Sequence, residues 1–305
     1  MTDIERKDKI ATDAISPAEI RKGDMRLFEG RSLPLGKTLV MGILNITNDS
    51  FYATSRVSTE RDAVARAVLM AGSGADIIDV GAESTRPGSR GIKKEAEADA
   101  LIPAVRSIRR ELPEMPISVD TRHASVASEA IEVGADIIND VSGLELPEEA
   151  GAMIALAART GAGYVLMHTK GTPDVMQNDP GYDDFIAELL DFLSKKIEVL
   201  TSGGVSRERV IIDPGIGFGK RISDNLTILA NLDKFAEFGL PILIGASRKS
   251  FIGGAARNDQ SERLEGTLAV TSLITIAGID IVRVHDVAAN RRTVDMIAEI
   301  TRHRI

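Results

Sequence analysis

The chain has 305 residues, 43% hydrophobic and 27% charged, a balance that suits a folded protein with a sizeable core. It contains no cysteine, which excludes disulfides, thiolate catalysis and thiolate-held zinc or iron–sulfur centres. A formal net charge of −8, no tryptophan and 4% aromatic residues argue against nucleic-acid binding by charge or by base stacking.

The N-terminal run Asp3-Ile4-Glu5-Arg6-Lys7-Asp8-Lys9 predicts a charged, mobile leader over residues 1–24, to which no function is assigned. No apolar signal core and no stretch near eighteen apolar residues occur, so the expected compartment is the cytoplasm, with no membrane partner. Residues near 25–38 are expected to form a short extra element before the first strand, covering the bottom of the fold. Eight apolar runs then recur: Leu39–Asn45, Ala75–Gly81, Pro116–Asp120, Ala135–Asp140, Ala162–His168, Arg209–Asp213, Pro241–Ala246 and Asp280–His285. Most are continuous Val/Ile/Leu stretches, which suits parallel strands covered by helices, and their starts lie about 34 residues apart, one βα unit each.

Helices fill the intervals. Thr59 and Asp62 suggest a capping box, with Val64, Val68 and Leu69 keeping a helical period; Ser223-Asp224-Asn225 suggests a second N-cap. Gly74-Ala75-Asp76, Gly134-Ala135-Asp136 and Gly278-Ile279-Asp280 each suggest a left-handed glycine stopping a helix just before a strand. The fold expected is α/β, a (β/α)8 TIM barrel in a single domain over residues 25–305 with a short N-terminal extension. A doubly wound open sheet is the alternative, but its glycine fingerprint after the first strand is missing.

A barrel of this kind carries its site at the carboxyl ends of the strands. Here those ends read Asn45, Glu83-Ser84-Thr85-Arg86, Asp120, Asn139-Asp140, His168, Asp213, Ser247-Arg248-Lys249-Ser250 and Arg283-Val284-His285-Asp286. Asp120, Asn139 and Asp213 should point into the mouth; buried carboxylates need donors, and a flat, N–H-rich heterocycle is the expected partner. Arg86, Lys249, Arg283 and His285 form a rim set suited to phosphate or carboxylate.

Blander readings stand beside these. Gly215-Ile216-Gly217-Phe218-Gly219-Lys220 is not a phosphate loop, since Pro214 replaces the first glycine and Arg221 the Ser/Thr; it reads as a tight turn shaping a pocket. Asn45 and Asp120 could equally cap helices or turns. His168 reads as a satisfied rim histidine, His123 and His303 as surface residues, and Arg109-Arg110 and Arg291-Arg292 as solvated charge.

Met41-Gly42-Ile43-Leu44-Asn45-Ile46-Thr47, Asp79-Val80-Gly81-Ala82-Glu83-Ser84-Thr85-Arg86-Pro87-Gly88 and Ser118-Val119-Asp120-Thr121 resemble signature segments of the dihydropteroate synthase family. So do Met167-His168 with Gly171-Thr172-Pro173, Asp213 through Lys220, Ser247-Arg248-Lys249-Ser250 and Arg283-Val284-His285-Asp286, in order from about residue 39 onward. The resemblance implies condensation of 6-hydroxymethyl-7,8-dihydropterin diphosphate with 4-aminobenzoate, giving 7,8-dihydropteroate and pyrophosphate with Mg2+, in a cytoplasmic homodimer. By the same resemblance Asn45 is the metal ligand near the diphosphate, which Thr85, Arg283 and His285 also meet. Asp120, Asn139, Met167, Asp213, Phe218 and Lys249 hold the pterin; Arg86, Lys249 and Ser250 border 4-aminobenzoate. Lys249, Arg283, His285 and Asp120 are the catalytic set.

The chain departs from the commoner pattern at Asn48, where proline is usual, in the Tyr52–Arg56 segment, and at Ala82, where glycine is usual. These departures are expected on the side of 4-aminobenzoate and its sulfonamide mimics. The competing functions are a pterin-dependent methyltransferase acting between methyltetrahydrofolate and a corrinoid, a non-catalytic pterin-binding paralogue, and a Schiff-base aldolase using Lys249.

Overall fold

Each apolar run in the sequence becomes a parallel strand, and each glycine-stopped stretch before it a helix, in a computed structural model that describes residues 23–46, 60–82, 92–170, 181–256 and 263–303. A two-stranded antiparallel hairpin comes first, β1 (Met25–Arg26) and β2 (Ser32–Leu33). Then come β3 (Leu39–Asn45), α1 (Glu60–Gly72), β4 (Ile77–Gly81), α2 (Lys94–Glu111), β5 (Ile117–Asp120), α3 (Ala124–Glu132) and β6 (Ile137–Asp140). The chain continues through α4 (Pro147–Thr160), β7 (Gly163–Met167), α5 (Phe185–Ser202), β8 (Val210–Asp213), α6 (Ile222–Ala230), α7 (Asp233–Ala236) and β9 (Leu243–Ile244). It ends with α8 (Ser250–Ala256), α9 (Leu264–Ile276), β10 (Ile281–Val284) and α10 (Val287–Arg302). All eight expected strands form, one or two residues shorter than expected at several ends.

Strands pair in the order β8-β7-β6-β5-β4-β3-β10-β9. A bridge between Ile212 and Ile242, with the Ile212 N–H donating to the Pro241 carbonyl at 2.9 Å, brings β8 and β9 together and rounds the sheet into the (β/α)8 barrel. Because side chains alternate along a strand, one parity faces the helices and the other faces the barrel axis. At the amino end the axial set is apolar: Leu39, Met41, Ile77, Ile137, Val165, Ile211, Leu243 and Ile281 form one cluster, sealed below by Met25, Leu27 and Leu33 of the hairpin. The extra element before the first barrel strand therefore does cover the bottom. The leader up to residue 22 lies outside the described residues.

The three Gly-x-Asp echoes share a mechanism. Gly74, Gly134 and Gly278 all have positive φ. The aspartate that comes two residues later accepts a backbone N–H from the neighbouring strand: Asp76 from Val40, Asp136 from Ile117 and Asp280 from Ile242, each at 2.8 Å. Arg291 and Arg109 complete two of these corners. Their stems lie so close over Gly74 and Gly134 that an added Cβ would sit 2.6 and 2.7 Å from the respective Cγ atoms. Their guanidinium groups reach Asp76 at 3.0 Å and Asp136 at 2.6 Å. These two arginines are thus structural pins rather than solvated charge. Gly134→Ala should destabilise the fold by roughly 1–3 kcal/mol, the cost of a strained left-handed residue plus displacement of Arg109, measured as a lower melting temperature.

The structure defines the buried face of one helix and corrects the start of another. The buried face of α1 is Ala63, Ala67 and Met70, while Val68 and Leu69 are exposed, because small residues let this helix approach the sheet closely. Thr59 lies outside the described residues. In α6 the helix starts earlier than Ser223: Asp224 occupies the third helical position and accepts the Arg221 N–H at 2.8 Å, and Asn225 fastens the turn after β8. Among the described residues no helix is long and apolar enough to cross a membrane.

Candidate active site

The parity that buries apolar side chains at the bottom of the barrel carries polar ones into its mouth. Two residues beyond Ile77, Ile137, Ile211 and Ile281 on the same face stand Asp79, Asn139, Asp213 and Arg283; Met167 follows Val165, and Asn45 follows Met41 and Ile43. On β5 the outer core takes Ile117 and Val119, leaving Ser118 and Asp120 on the axis. Pairing sets Asn45, Gly81, Asp120 and Asn139 in one row across four strands, with Met167 beside Asp213. Asp120, Asn139, Met167 and Asp213 are all buried.

Arg283 supplies donors to two of the carboxylates in the mouth. Its Nε donates to Asp79 at 2.6 Å and its Nη2 to Asp120 at 2.7 Å. Asn139 Nδ2 donates to both oxygens of Asp79 at 3.3 Å. The expected separation into a carboxylate set and a cationic rim therefore fails at this point: Arg283, 163 residues from Asp120 in sequence, belongs to both. Despite burial, its partners Asp79, Asp120 and Asp213 raise its pKa. Its side chain remains 18% accessible, so the fork can still present an edge to a ligand.

The glycine-rich turn after β8 is a fixed wall. Gly215, Gly217 and Gly219 have φ of 69°, 83° and 59°, and a Cβ at each would strike the His168 carbonyl, the Lys249 stem and the Lys170 carbonyl respectively. Three fastenings hold it: Asp213 accepts the Gly215 N–H at 2.7 Å, Asn225 accepts the Gly217 N–H at 2.7 Å, and Tyr182 donates to the Gly219 carbonyl at 2.9 Å. Lys220 is buried beneath it, its Nζ meeting the Phe218 carbonyl at 3.0 Å, His168 Nδ1 at 2.7 Å and the His168 carbonyl at 3.3 Å. Three acceptors around one ammonium satisfy it. Burial, with Lys220 adjacent, pushes the His168 ring down to about 2, so it stays neutral and accepts at Nδ1. His168 is therefore buried and satisfied, anchoring the wall rather than standing at the rim.

Lys249 lies against this wall. Its Nζ donates to the Ile216 carbonyl and sits 4.4 Å from the centre of the half-buried Phe218 ring. Burial lowers its pKa to about 8, against the pull of Asp213. Asp213 is shifted the opposite way: burial raises it, and Lys249 is the largest opposing influence. Each group is thus closer to neutrality than in water, and a ligand that pairs with either recovers part of that cost. Ser247, two residues before Lys249, holds its Oγ 3.0 Å from His285 Nδ1.

Of the expected site residues, the described structure brings Asp120, Asn139, Asp213, Met167, Phe218, Lys249 and Arg283 around the mouth. Asn45 ends β3 in the same row, and Ser250 is exposed at the start of α8. Thr85, Arg86, Asn48, Tyr52 and Gly171-Thr172-Pro173 lie outside the described residues. Two strand-end groups belong elsewhere. Asp140 faces the helices, where Tyr164, Ser142 and the Leu144 N–H donate to it, and Asp286 binds Arg248. Ala82 packs in the outer core. Asp79 was missed, although a carboxylate on the axial face of the run Ile77-Ile78-Asp79-Val80 could have revealed it. Lys220 and Ser247 stand in segments the sequence singles out, but it assigns them no individual role.

Residues 41–285 match the family described as pterin binding enzyme. A dihydropteroate synthase of Escherichia coli is 46% identical over 264 residues, covering 86% of this chain and 92% of the relative. One from Synechocystis is 42% identical, covering 84% and 91%. The Yersinia pestis dihydropteroate synthase in a sulfonamide drug complex superposes with a TM-score of 0.85 at 35% identity, covering 91% of this chain and 98% of that one. A Xanthomonas albilineans dihydropteroate synthase with 4-aminobenzoic acid gives 0.82 at 37%, covering 92% and 99%.

Proposed function

The chain belongs to the pterin-binding enzyme family, in its dihydropteroate synthase group, and from that premise we propose how its own residues carry out the condensation of a dihydropterin methyl diphosphate with 4-aminobenzoate in folate biosynthesis. The observation that carries this reading is the inward row of Asp120 and Asn139 with Asp213 nearby: buried acceptors at a barrel mouth fit the N–H-rich edge of a pterin. Asp213 accepts from the amino-pyrimidine edge, with Asp120 and Asn139 around the remainder of the ring. Met167 and Phe218 form the pocket walls. Lys249 lies against the ring and, with Ser250 and Arg86, borders 4-aminobenzoate.

The reaction separates charge. When the C–O bond breaks, the electron pair leaves on the diphosphate and the pterin methylene becomes a cation. Arg283, His285 and Thr85 hold the diphosphate and stabilise it more as its charge grows, which lowers the barrier to departure. Ionised Asp213 at the donor edge favours electron release from the ring into the methylene. The arylamine is a poor nucleophile facing a strong electrophile; its nitrogen forms the new C–N bond and then loses a proton, and the protein needs mainly to place it. No covalent enzyme intermediate is required.

The residues fit Mg2+ that arrives with its substrate rather than a resident ion. Among the described residues no group of three or more His, Asp or Glu could hold a metal, whereas Asn45 offers one neutral amide oxygen at the mouth. Mg2+ is commonly held by a few protein oxygens plus substrate phosphates. Asn45 would be its protein ligand, and the ion would neutralise charge on the diphosphate.

A cytoplasmic homodimer completes the proposal. Leu273 and Ile276 of α9 and Met296 and Ile300 of α10 are exposed apolar side chains on neighbouring helices, as a subunit contact requires, and light scattering tests it. The functional test is formation of pyrophosphate and dihydropteroate from both substrates. Stoichiometric release dependent on Mg2+ is expected; methyl transfer from methyltetrahydrofolate with no pyrophosphate would overturn the reading.

A further inference from the structure

The carboxyl ends of β9 and β10 are joined by two successive side-chain rungs. In the first, the His285 backbone N–H donates to Ser247 Oγ at 3.2 Å, and the same Oγ lies 3.0 Å from His285 Nδ1. In the second, Arg248 Nε donates to Asp286 Oδ2 at 2.7 Å and its Nη2 to Oδ1. Arg248 holds a left-handed φ of 56°, and its N–H donates to Thr267 Oγ1 at 3.0 Å, so the second rung is locked and keeps the first in register.

The hydroxyl hydrogen of Ser247 governs the proton arrangement at the first rung. The Ser247 side chain is buried, and its oxygen already accepts the His285 N–H. Its own hydrogen needs an acceptor, and a bare Nδ1 provides one. That requires the neutral imidazole to carry its proton on Nε2. In the opposite tautomer two donors converge on Oγ and the hydroxyl hydrogen can no longer be given to the ring.

We propose that Ser247 is a positioning residue that fixes neutral His285 as the Nε2–H tautomer, so that the ring presents a donor to the anionic diphosphate group of the substrate. The functional half rests on the proposed diphosphate role of His285; the tautomer does not. A hydroxyl at position 247 thus decides whether His285 meets an anion with a proton or with a lone pair.

The test is 15N NMR of histidine-labelled protein, with the neutral His285 signals assigned by their loss in His285→Gln. The wild-type ring should be the Nε2–H form. Ser247→Ala should mix the tautomers and weaken binding of pyrophosphate with Mg2+ about tenfold, the weight of one hydrogen bond. Ser247→Thr, which keeps the hydroxyl, should restore both. An Nδ1–H ring in the wild type, or an unchanged tautomer in folded Ser247→Ala, would overturn the proposal. The wild-type spectrum decides even where a variant does not fold. A mixed tautomer with unchanged pyrophosphate binding would leave the tautomer standing and defeat the diphosphate role of His285.

Discussion

Asp79→Ala should lose about 3–5 kcal/mol of stability, and Asp79→Asn should fold but turn over about a hundredfold more slowly. Asp79 is fully buried and joins Arg283 Nε to Asn139 Nδ2. Truncation leaves the half-buried guanidinium bonded to Asp120 with its Nε partner gone, the kind of broken pair that carries the larger cost. The amide can keep an oxygen toward Arg283 but no longer opposes its charge, so the guanidinium shifts toward Asp120. On the proposed roles, both the pterin-holding and the diphosphate-holding sides then move together. Steady-state kinetics should register this in kcat and in KM for the pterin substrate alike. Activity within twofold of wild type in Asp79→Asn would show that Arg283 needs no such brace.

Lys249 should show opposite signs for activity and stability. Lys249→Ala is expected to reduce turnover by about 10²–10³, the usual loss of a key polar partner at the reacting centre. Lys249→Met should instead raise the melting temperature at pH 7. The lysine titrates near 8 when folded and near 10.5 when unfolded, so at pH 7 both states are protonated and the folded state bears the full cost of the buried cation. As pH rises through 8 the folded state sheds its proton while the unfolded state retains it, and wild-type stability increases until about 10.5. The methionine variant lacks this gain, so its advantage should shrink with alkalinity. Asp213 loses its neighbour in the same variant, which offsets part of the benefit and leaves about 1 kcal/mol at neutral pH. A variant less stable than wild type at pH 7 would contradict this account of Lys249.

Much of this arrangement was legible in the chain. Continuous apolar runs at one-βα spacing specify parallel strands, and glycine before Asp-Ile-Ile marks where helices stop, because only these solutions satisfy the backbone. Their position at strand carboxyl ends places Asp120, Asn139 and Asp213 at the mouth, and strand parity in the fold turns them inward. What escaped was long-range. Arg283 reads as a rim cation because nothing local couples it to Asp79 and Asp120; only barrel closure brings β10 beside β3. Arg109 and Arg291 look like helix-surface charge in sequence, and become pins because the glycines beneath them leave room for their stems. Lys220 and His168 share the same character: each is polar by type, yet buried because the other completes its hydrogen bonding. In α1 the stripe through Val68 and Leu69 follows hydrophobicity, whereas the sheet selects the small residues Ala63 and Ala67.

The most direct measurement is positional isotope exchange in the pterin diphosphate, with 18O in the oxygen between the methylene and the α-phosphorus and no 4-aminobenzoate present. If the inward polar groups and the diphosphate-holding residues drive departure before the amine attacks, C–O cleavage and return should move the label into non-bridging positions of the α-phosphoryl group. Retention of all the label at the bridge, in enzyme that turns over once the amine is added, would contradict that order of events.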